Sequence, residues 1–197
     1  MDDAPVIEPA TKPRSRVTLV GYRCTGKSTV AAILAARLGA AWCDADTLLE
    51  QRFGTSISDL VRTRGEAAFR DAEAAILAEL LERDGVVIAT GGGVVLREGN
   101  RRLLHTRGRP VVWLTAAPAE LRRRLASDPA SRDRRPGLSG PDPLAEVEQA
   151  LAERDPLYRG IADVAFDSGA IRPDEVADRI AAWLATPAGR ACRGPSP

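Results

Sequence analysis

The stretch Gly21–Thr29 constrains this chain more than any other. It reads Gly-Tyr-Arg-Cys-Thr-Gly-Lys-Ser-Thr and fits the phosphate-binding loop G-x-x-x-x-G-K-[ST]. The run Val17–Val20 before it is short, apolar and rich in β-branched residues, which predicts a buried strand. After it, apolar residues recur at helical spacing as far as Leu38, and Gly39 is a suitable C-cap. Because strand, glycine loop and helix come in the order that phosphate binding requires, the match predicts a phosphate site rather than a chance glycine turn.

The residue types of the loop explain its chemistry. Gly21 and Gly26 let the backbone bend so that successive N–H groups point at a polyphosphate. The helix that begins near Lys27 adds free N–H groups and the positive end of its dipole. Lys27 is long enough to reach the β- and γ-phosphates, and the Ser28 hydroxyl is a ligand for Mg²⁺. The loop therefore predicts a site for a nucleoside triphosphate and Mg²⁺.

Composition excludes several other classes of function. The chain has 197 residues, which suits one compact α/β domain, and its net charge of +1 creates no field that attracts nucleic acid. Aromatic residues make up only 4%, which argues against a base-stacking surface. No apolar run reaches membrane-spanning length, and the N-terminus lacks the pattern of a signal peptide. Three cysteines without metal-ligand spacing favour a reduced, cytoplasmic location.

Strand-like runs alternate with helical patterns along the chain. Further strands are predicted at Ala40–Cys43, Gly85–Ala89, Pro110–Leu114 and Ala162–Phe166, with helical patterns between them. This alternation predicts a parallel sheet that helices cover on both faces. We expect a single domain over residues 16–185, with disordered tails at 1–15 and 186–197.

Residues 128–143 interrupt the pattern. They are rich in proline, glycine and arginine and have no periodic apolar residues, so they predict a loop. A loop of this length in a compact domain is usually functional or disordered. Helical patterns resume at Leu144–Glu153 and again at Pro173–Leu184.

Polar residues follow the predicted strands at the points where they end. Ligands of open α/β sheets bind beyond the carboxyl ends of the strands, where the phosphate loop, the pair Asp44 and Asp46, and Gly91–Gly93 should meet. The two aspartates either lie in extended backbone and point the same way, or one of them caps a helix. A carboxylate there can hold a metal-bound water, or orient an acceptor hydroxyl and take its proton. The three glycines either let the backbone come close to a ligand, adopt positive φ and present N–H groups to a substrate, or they form only a tight turn.

Taken together, these motifs resemble the shikimate kinase family, and the resemblance runs in order from about Val17 to Leu184. It includes the phosphate loop, Asp44-Ala45-Asp46, Glu66-x-x-Phe69-Arg70, Gly91-Gly92-Gly93 and Arg154-Asp155-Pro156-Leu157-Tyr158. The phosphate loop alone is common to many nucleotide-binding families, whereas the set of motifs is specific. From the sequence alone, Arg70 and Arg154 are equally consistent with solvated helix faces.

The resemblance implies a three-layer, nucleoside-monophosphate-kinase-like fold with a five-stranded parallel sheet and a mobile lid at about 128–143. It also implies transfer of the γ-phosphoryl group of ATP to the 3-hydroxyl of shikimate, with Mg²⁺ as cofactor. We further expect a monomer. The implied catalytic residues are Lys27, Asp46 and Arg135. The implied ATP-binding residues are Arg23, Cys24, Thr25, Gly26, Lys27, Ser28, Thr29, Arg124, Arg135, Arg172 and Pro173. The implied shikimate-binding residues are Asp46, Arg70, Gly91, Gly92, Gly93 and Arg154, and Mg²⁺ is held by Ser28 and, through water, by Asp44.

The chain departs from the family pattern at two places. Position 24 commonly carries glycine in the family, and Cys24 is expected either to be small filler that constrains the loop or to be a redox-active thiol. The lid reads Arg134-Arg135-Pro136-Gly137 where many members have two leucines after the proline, so Arg134 and Arg135 both remain candidates for the key lid arginine.

Two other functions stay open: another small-metabolite kinase, such as a gluconate kinase, and a non-catalytic nucleotide-binding module.

Overall fold

A computed structural model describes residues 16–127 and 143–192. Its sheet has five parallel strands in the order β2-β3-β1-β4-β5. The strands are β1 Val17–Val20, β2 Ala41–Asp44, β3 Val86–Ala89, β4 Val111–Thr115 and β5 Val164–Asp167. This confirms the predicted five-stranded parallel sheet. The predicted tail at 1–15 and almost all of the predicted lid, including Arg134 and Arg135, lie outside the described residues.

Helices connect and cover the strands. They are α1 Lys27–Leu38, α2 Ala45–Phe53, α3 Ile57–Leu80, α4 Glu98–Arg107, α5 Pro118–Ser127, α6 Pro143–Arg159, α7 Pro173–Leu184 and α8 Pro187–Ala191, with a short 3₁₀ turn at Val94–Leu96. Among the described residues, each helix is too short or too polar to cross a bilayer.

Alternate strand residues enter two separate apolar cores, as the two-residue period of a strand requires. Val87 and Ala89 of β3 pack in a core with α1 and α7, whereas Val86 and Ile88 pack in a core with α2, α3 and α4. Because both faces of the central strands are buried, these strands are continuous apolar runs. The arrangement confirms the three layers that the sequence predicted.

Two helices extend beyond their predicted limits. The helix predicted to end at Glu153 continues as α6 through Pro156 to Arg159. Proline in a helix interior removes a backbone hydrogen bond, but Tyr158 compensates because its ring is fully buried and stacks on Trp113, with 5.8 Å between ring centroids. In α3, two predicted helices run on across a kink at Gly65, whose backbone is not helical.

The expectation of disorder from residue 186 onwards is wrong for the part that the structure describes. Thr186 caps α8, because its hydroxyl accepts a hydrogen bond from the Gly189 N–H at 3.1 Å. Gly189 is buried, and a Cβ there would lie 2.3 Å from the carbonyl oxygen of Trp183. Glycine therefore permits the close packing of α8, and the Gly- and Pro-rich composition of this segment does not make it a disordered tail.

The strand register brings the functional segments to one edge of the sheet. Asp44 of β2 pairs with Ala89 of β3, and Leu19 of β1 pairs with the same residue from the other side. Thr90 holds β1 and β3 together there, since both its N–H and its hydroxyl donate to the carbonyl oxygen of Leu19. The phosphate loop, Asp44 and the glycine turn after Thr90 consequently begin side by side.

Candidate active site

The phosphate loop is held by hydrogen bonds within itself. Lys27 is only 7% exposed, and its ammonium donates to the carbonyl oxygens of Gly21 at 2.9 Å and Tyr22 at 2.8 Å. The buried Thr25 hydroxyl also donates to the Tyr22 carbonyl, at 2.8 Å. Ser28 and Thr29 lie in the first turn of α1 and are exposed. The loop is therefore folded around its own lysine, with the N-terminal turn of α1 open to solvent.

Two loop residues have backbone conformations that side chains rarely adopt. Gly21 has φ +145°, and a Cβ there would lie 2.3 Å from the carbonyl oxygen of Leu114, so no other residue fits. Cys24 has φ +61°, in the left-handed region that glycine occupies without strain. This is the physical reason for glycine at that position of the family pattern, and Cys24 adopts the same conformation at a cost. Cys24 is partly buried and packs against the apolar cluster of Tyr22, Leu121, Leu125 and Val147.

Asp44 and Asp46 take the second of their two predicted arrangements. Asp44 is the N-cap of α2, and its Oδ1 accepts from the Thr47 N–H at 3.0 Å. Its Oδ2 accepts a short hydrogen bond from the Ser28 hydroxyl. Asp46 lies in the first turn of α2 and is half-buried, so the two carboxylates do not share one extended segment. Of the two arrangements that the sequence left open, the structure has the one in which an aspartate caps the helix.

Ser28 and Asp44 together form a donor set that suits Mg²⁺. Mg²⁺ prefers hard oxygen ligands and usually takes only one or two carboxylates from the protein, together with water and substrate phosphates. Within residues 16–127 and 143–192, no group of three or more acidic, histidine or cysteine side chains forms a metal centre. One hydroxyl and one carboxylate at the end of the phosphate loop fit the ion's requirements.

Arg70 lies in α3 and reaches the glycine turn. A Cβ on Gly93 would lie only 2.2 Å from its Nη1 atom. The guanidinium donates to Glu73 at 2.8 Å and to Glu66 at 3.2 Å. Burial alone would lower the pKa of Arg70, but the charge and hydrogen bond of Glu73, followed by those of Glu66, raise it above its usual value. The side chain is thus fully charged and held in place at the turn.

Glu73 is a site residue that the sequence analysis missed. It is only 4% exposed, and a buried carboxylate is costly unless it is paired. It follows Arg70 by three residues on the same helix, a spacing at which an ion pair forms across one turn. That spacing is the signal that could have identified it.

The glycine turn provides close approach rather than unusual backbone angles. None of Gly91, Gly92 and Gly93 is among the glycines with positive φ, so that expectation is wrong. A Cβ on Gly92 would lie 3.0 Å from the backbone nitrogen of Arg23, which means that the turn lies directly against the phosphate loop. The buried Tyr158 hydroxyl donates to the carbonyl oxygen of Gly92 and fixes the turn to α6.

Arg154 joins the site from α6 through the ring of Tyr22. Its guanidinium carbon lies 5.4 Å from the ring centroid, in a cation–π contact. The ring itself is buried against Leu121, Leu125 and Val147. Tyr22 belongs to the phosphate loop, and its carbonyl carbon would lie 3.4 Å from a Cβ on Gly92. Arg70 and Arg154 therefore approach the same junction of phosphate loop and glycine turn.

The other side of the phosphate loop is tied to α5 and to the segment after β5. Arg124 donates to the carbonyl oxygens of Cys24 at 3.2 Å and Ser168 at 2.7 Å. Its Nε donates to Glu120, and hydrogen bonds from Arg123 and then Arg124 lower the pKa of Glu120 to about 2. Arg172, by contrast, is 83% exposed at the start of α7, beside Pro173, and pairs with Asp174. The structure thus brings Arg124, but not the Arg172 side chain, into contact with the loop.

A phosphate loop with one arginine against its glycine turn and a second arginine against its Tyr22 ring is the arrangement of a P-loop kinase for a small acidic molecule. A sequence model of the family described as "Shikimate kinase" matches residues 23–185. A shikimate kinase of Halorhodospira halophila is 45% identical over 166 residues, which cover 84% of this chain and 91% of that protein. A shikimate kinase of Rhodopirellula baltica is 41% identical over 82% of this chain and 86% of that protein. The chain belongs to the shikimate kinase family.

Solved structures agree with this assignment. The shikimate kinase of Acinetobacter baumannii, solved in complex with shikimate, superposes with a TM-score of 0.80 at 32% identity. The match covers 88% of this chain and 94% of that one. A gluconokinase of Sinorhizobium meliloti superposes with a TM-score of 0.58 at 20% identity, which shows a shared fold alone.

Proposed function

We propose that the protein transfers the γ-phosphoryl group of ATP to the 3-hydroxyl of shikimate and releases 3-phosphoshikimate and ADP. The observation that carries this proposal is the convergence on the phosphate loop of two arginines, since Arg70 lies against Gly93 of the adjoining glycine turn and Arg154 lies against the Tyr22 ring. We call the space between the phosphate loop and the glycine turn the crevice. Its phosphate-loop end suits a polyphosphate, and the end beside Arg70 and Arg154 suits a carboxylate. Membership of the shikimate kinase family supports shikimate as the acid.

The acceptor is held by its carboxylate and its ring hydroxyls. Arg70 and Arg154 bind the carboxylate, because each guanidinium can donate a forked pair of hydrogen bonds to a planar anion. The backbone of Gly91, Gly92 and Gly93 contacts the ring hydroxyls. Asp46 orients the 3-hydroxyl and accepts its proton.

The donor nucleotide occupies the phosphate loop. Its phosphates bind the residues Arg23, Cys24, Thr25, Gly26, Lys27, Ser28 and Thr29. The adenine lies between Arg124 and the pair Arg172 and Pro173. Ser28 and, through water, Asp44 hold Mg²⁺, which when bound neutralises phosphate charge. Arg135, or Arg134 if the alignment shifts by one, closes over the phosphates from the lid.

In the transfer step, the bond between the γ-phosphorus and the β–γ bridging oxygen breaks, and a bond forms to the shikimate oxygen. The hydroxyl proton passes to the Asp46 carboxylate, and the electron pair of the broken bond leaves with ADP. Lys27 and the lid arginine balance the charge on the moving group. Lid closure excludes water, which would otherwise compete as acceptor.

A purified-protein assay of ADP release tests the proposal. With ATP and Mg²⁺, we expect ADP only when shikimate is added, and no ADP with gluconate. Turnover with gluconate but not shikimate would identify a different small-metabolite kinase. Tight ATP binding without turnover on any acceptor would identify a non-catalytic nucleotide-binding module. We further propose that the protein acts as a cytoplasmic monomer, and its three free cysteines support the reducing, cytoplasmic location.

A further inference from the structure

Arg23 occupies the junction between the phosphate loop and the glycine turn. It is the third residue of the loop, and its backbone nitrogen would lie 3.0 Å from a Cβ on Gly92. The phosphate loop is proposed to hold the donor, and the glycine turn the acceptor. Residue 23 therefore lies between the proposed donor and acceptor sites, where the phosphoryl group would be transferred.

The side chain of Arg23 shares the Tyr22 ring with Arg154. Its guanidinium carbon lies 5.7 Å from the ring centroid, and that of Arg154 lies 5.4 Å from the same centroid. The Nε atoms of both arginines are buried and have no hydrogen-bond partner among the described residues. Two partly desolvated guanidinium groups thus flank one aromatic ring.

Neither arginine has a carboxylate partner among the residues that the structure describes. Arg70 pairs with Glu73, and Arg124 pairs with Glu120, but the carboxylates in the described part of the chain form no ion pair with Arg23 or Arg154. The ring face offsets only part of the cost of removing a cation from water. This end of the crevice therefore suits a ligand that carries two anionic groups.

The unphosphorylated acceptor supplies only one of these groups. Its carboxylate is assigned to Arg70 and Arg154 in the proposed function. Before transfer, the second anionic group belongs to the donor nucleotide. On the acceptor it appears only when the phosphoryl group reaches the acceptor oxygen, because the product carries both a carboxylate and a phosphate. We propose that the Arg23 side chain is a product-binding residue that holds the transferred phosphate while Arg154 holds the carboxylate. This inference rests on the proposed function and is separate from the role of the Arg23 backbone in the phosphate loop.

Calorimetric titration of the ADP-bound protein with two ligands tests the inference. In the variant Arg23→Gln, we expect the dissociation constant for 3-phosphoshikimate to rise by about tenfold or more, which equals about 1.4 kcal/mol. The dissociation constants for shikimate and ADP should stay within about twofold. Arg122→Gln is the matched control, because Arg122 is an exposed arginine of α5. It should change none of the three dissociation constants.

Three results would overturn the inference. An equal loss for shikimate and 3-phosphoshikimate would assign Arg23 to the carboxylate, and unchanged binding of both would leave its charge without a ligand role. Failure of the unaltered protein to bind either ligand would refute the proposed function itself. If Arg23→Gln lowers the unfolding temperature, Arg23→Lys replaces it: its ammonium should weaken product binding by a smaller factor and again spare shikimate.

Discussion

Replacing Gly93 with alanine should damage acceptor binding without damaging the fold. Gly93 has φ −100°, a conformation that alanine adopts without strain. The new Cβ would lie 2.2 Å from Nη1 and 2.7 Å from Nη2 of Arg70, closer than nonbonded atoms approach. Since the guanidinium is the flexible partner, Arg70 must move away, and its bond to Glu73 at 2.8 Å must lengthen or break.

The size of the loss in kcat/KM follows from the hydrogen bond that a displaced Arg70 no longer donates to the acceptor carboxylate. A hydrogen bond to a charged group contributes about 1.5–3 kcal/mol, so kcat/KM for shikimate should fall by about 10- to 150-fold. The KM for ATP should change by less than about twofold, because Arg70 lies on the acceptor side of the phosphate loop. Steady-state ADP release, with each substrate varied in turn, measures both constants.

Gly99→Ala provides the control for Gly93→Ala. Gly99 lies in α4, and a Cβ there would meet nothing within 4 Å. This variant should retain both kinetic constants and be no less stable than the unaltered protein, because its Cβ meets nothing and alanine favours the helix. If Gly93→Ala has the same kcat/KM for shikimate as Gly99→Ala, or if its loss falls on ATP, the assignment of Arg70 to the acceptor is refuted.

Two further variants test the other side of the loop. Arg124→Gln removes donors to the carbonyl oxygens of Cys24 and Ser168 and should raise the KM for ATP by about tenfold or more. The control, Arg123→Gln, removes only an exposed partner of Glu120. An equal rise in the KM for ATP in both variants would contradict this role of Arg124. Cys24→Gly relieves a left-handed residue and should be more stable than Cys24→Ala by about 1 kcal/mol in urea unfolding, since both variants lose the sulfur but only alanine keeps the strained Cβ. A glycine variant that is no more stable than the alanine variant would show that the loop bears no strain there.

The fold could be predicted because its signals are local. The apolar runs at Val86–Ala89 and Val111–Thr115 have the continuous pattern of buried parallel strands, and both strands are where the pattern placed them within a residue or two. The errors arose where packing between distant segments decides the structure. The helical pattern was predicted to end at Glu153, yet α6 runs through Pro156 to Arg159, where Tyr158 is buried.

The candidate site was predictable to a lesser extent. The predicted strand ends placed the phosphate loop, Asp44 and Gly91–Gly93 at one edge of the sheet, because parallel strands end on the same side. Arg70 was assigned to this edge by the family resemblance alone. Motif spacing could not show that Tyr22 links Arg154 to the phosphate loop, since that contact joins residues far apart in sequence. Motif spacing also could not show why Gly91–Gly93 are glycines. They let the turn lie close to the phosphate loop and do not adopt positive φ, but glycine permits both.

A crystal structure of the protein with ADP, Mg²⁺ and shikimate would test the central claim most directly. We predict that the shikimate carboxylate accepts hydrogen bonds from both Arg70 and Arg154. We also predict that the 3-hydroxyl lies beside Asp46 and faces the phosphate loop. Shikimate bound away from the Gly91–Gly93 turn, or with its carboxylate directed away from both arginines, would contradict the claim that one crevice holds donor and acceptor together.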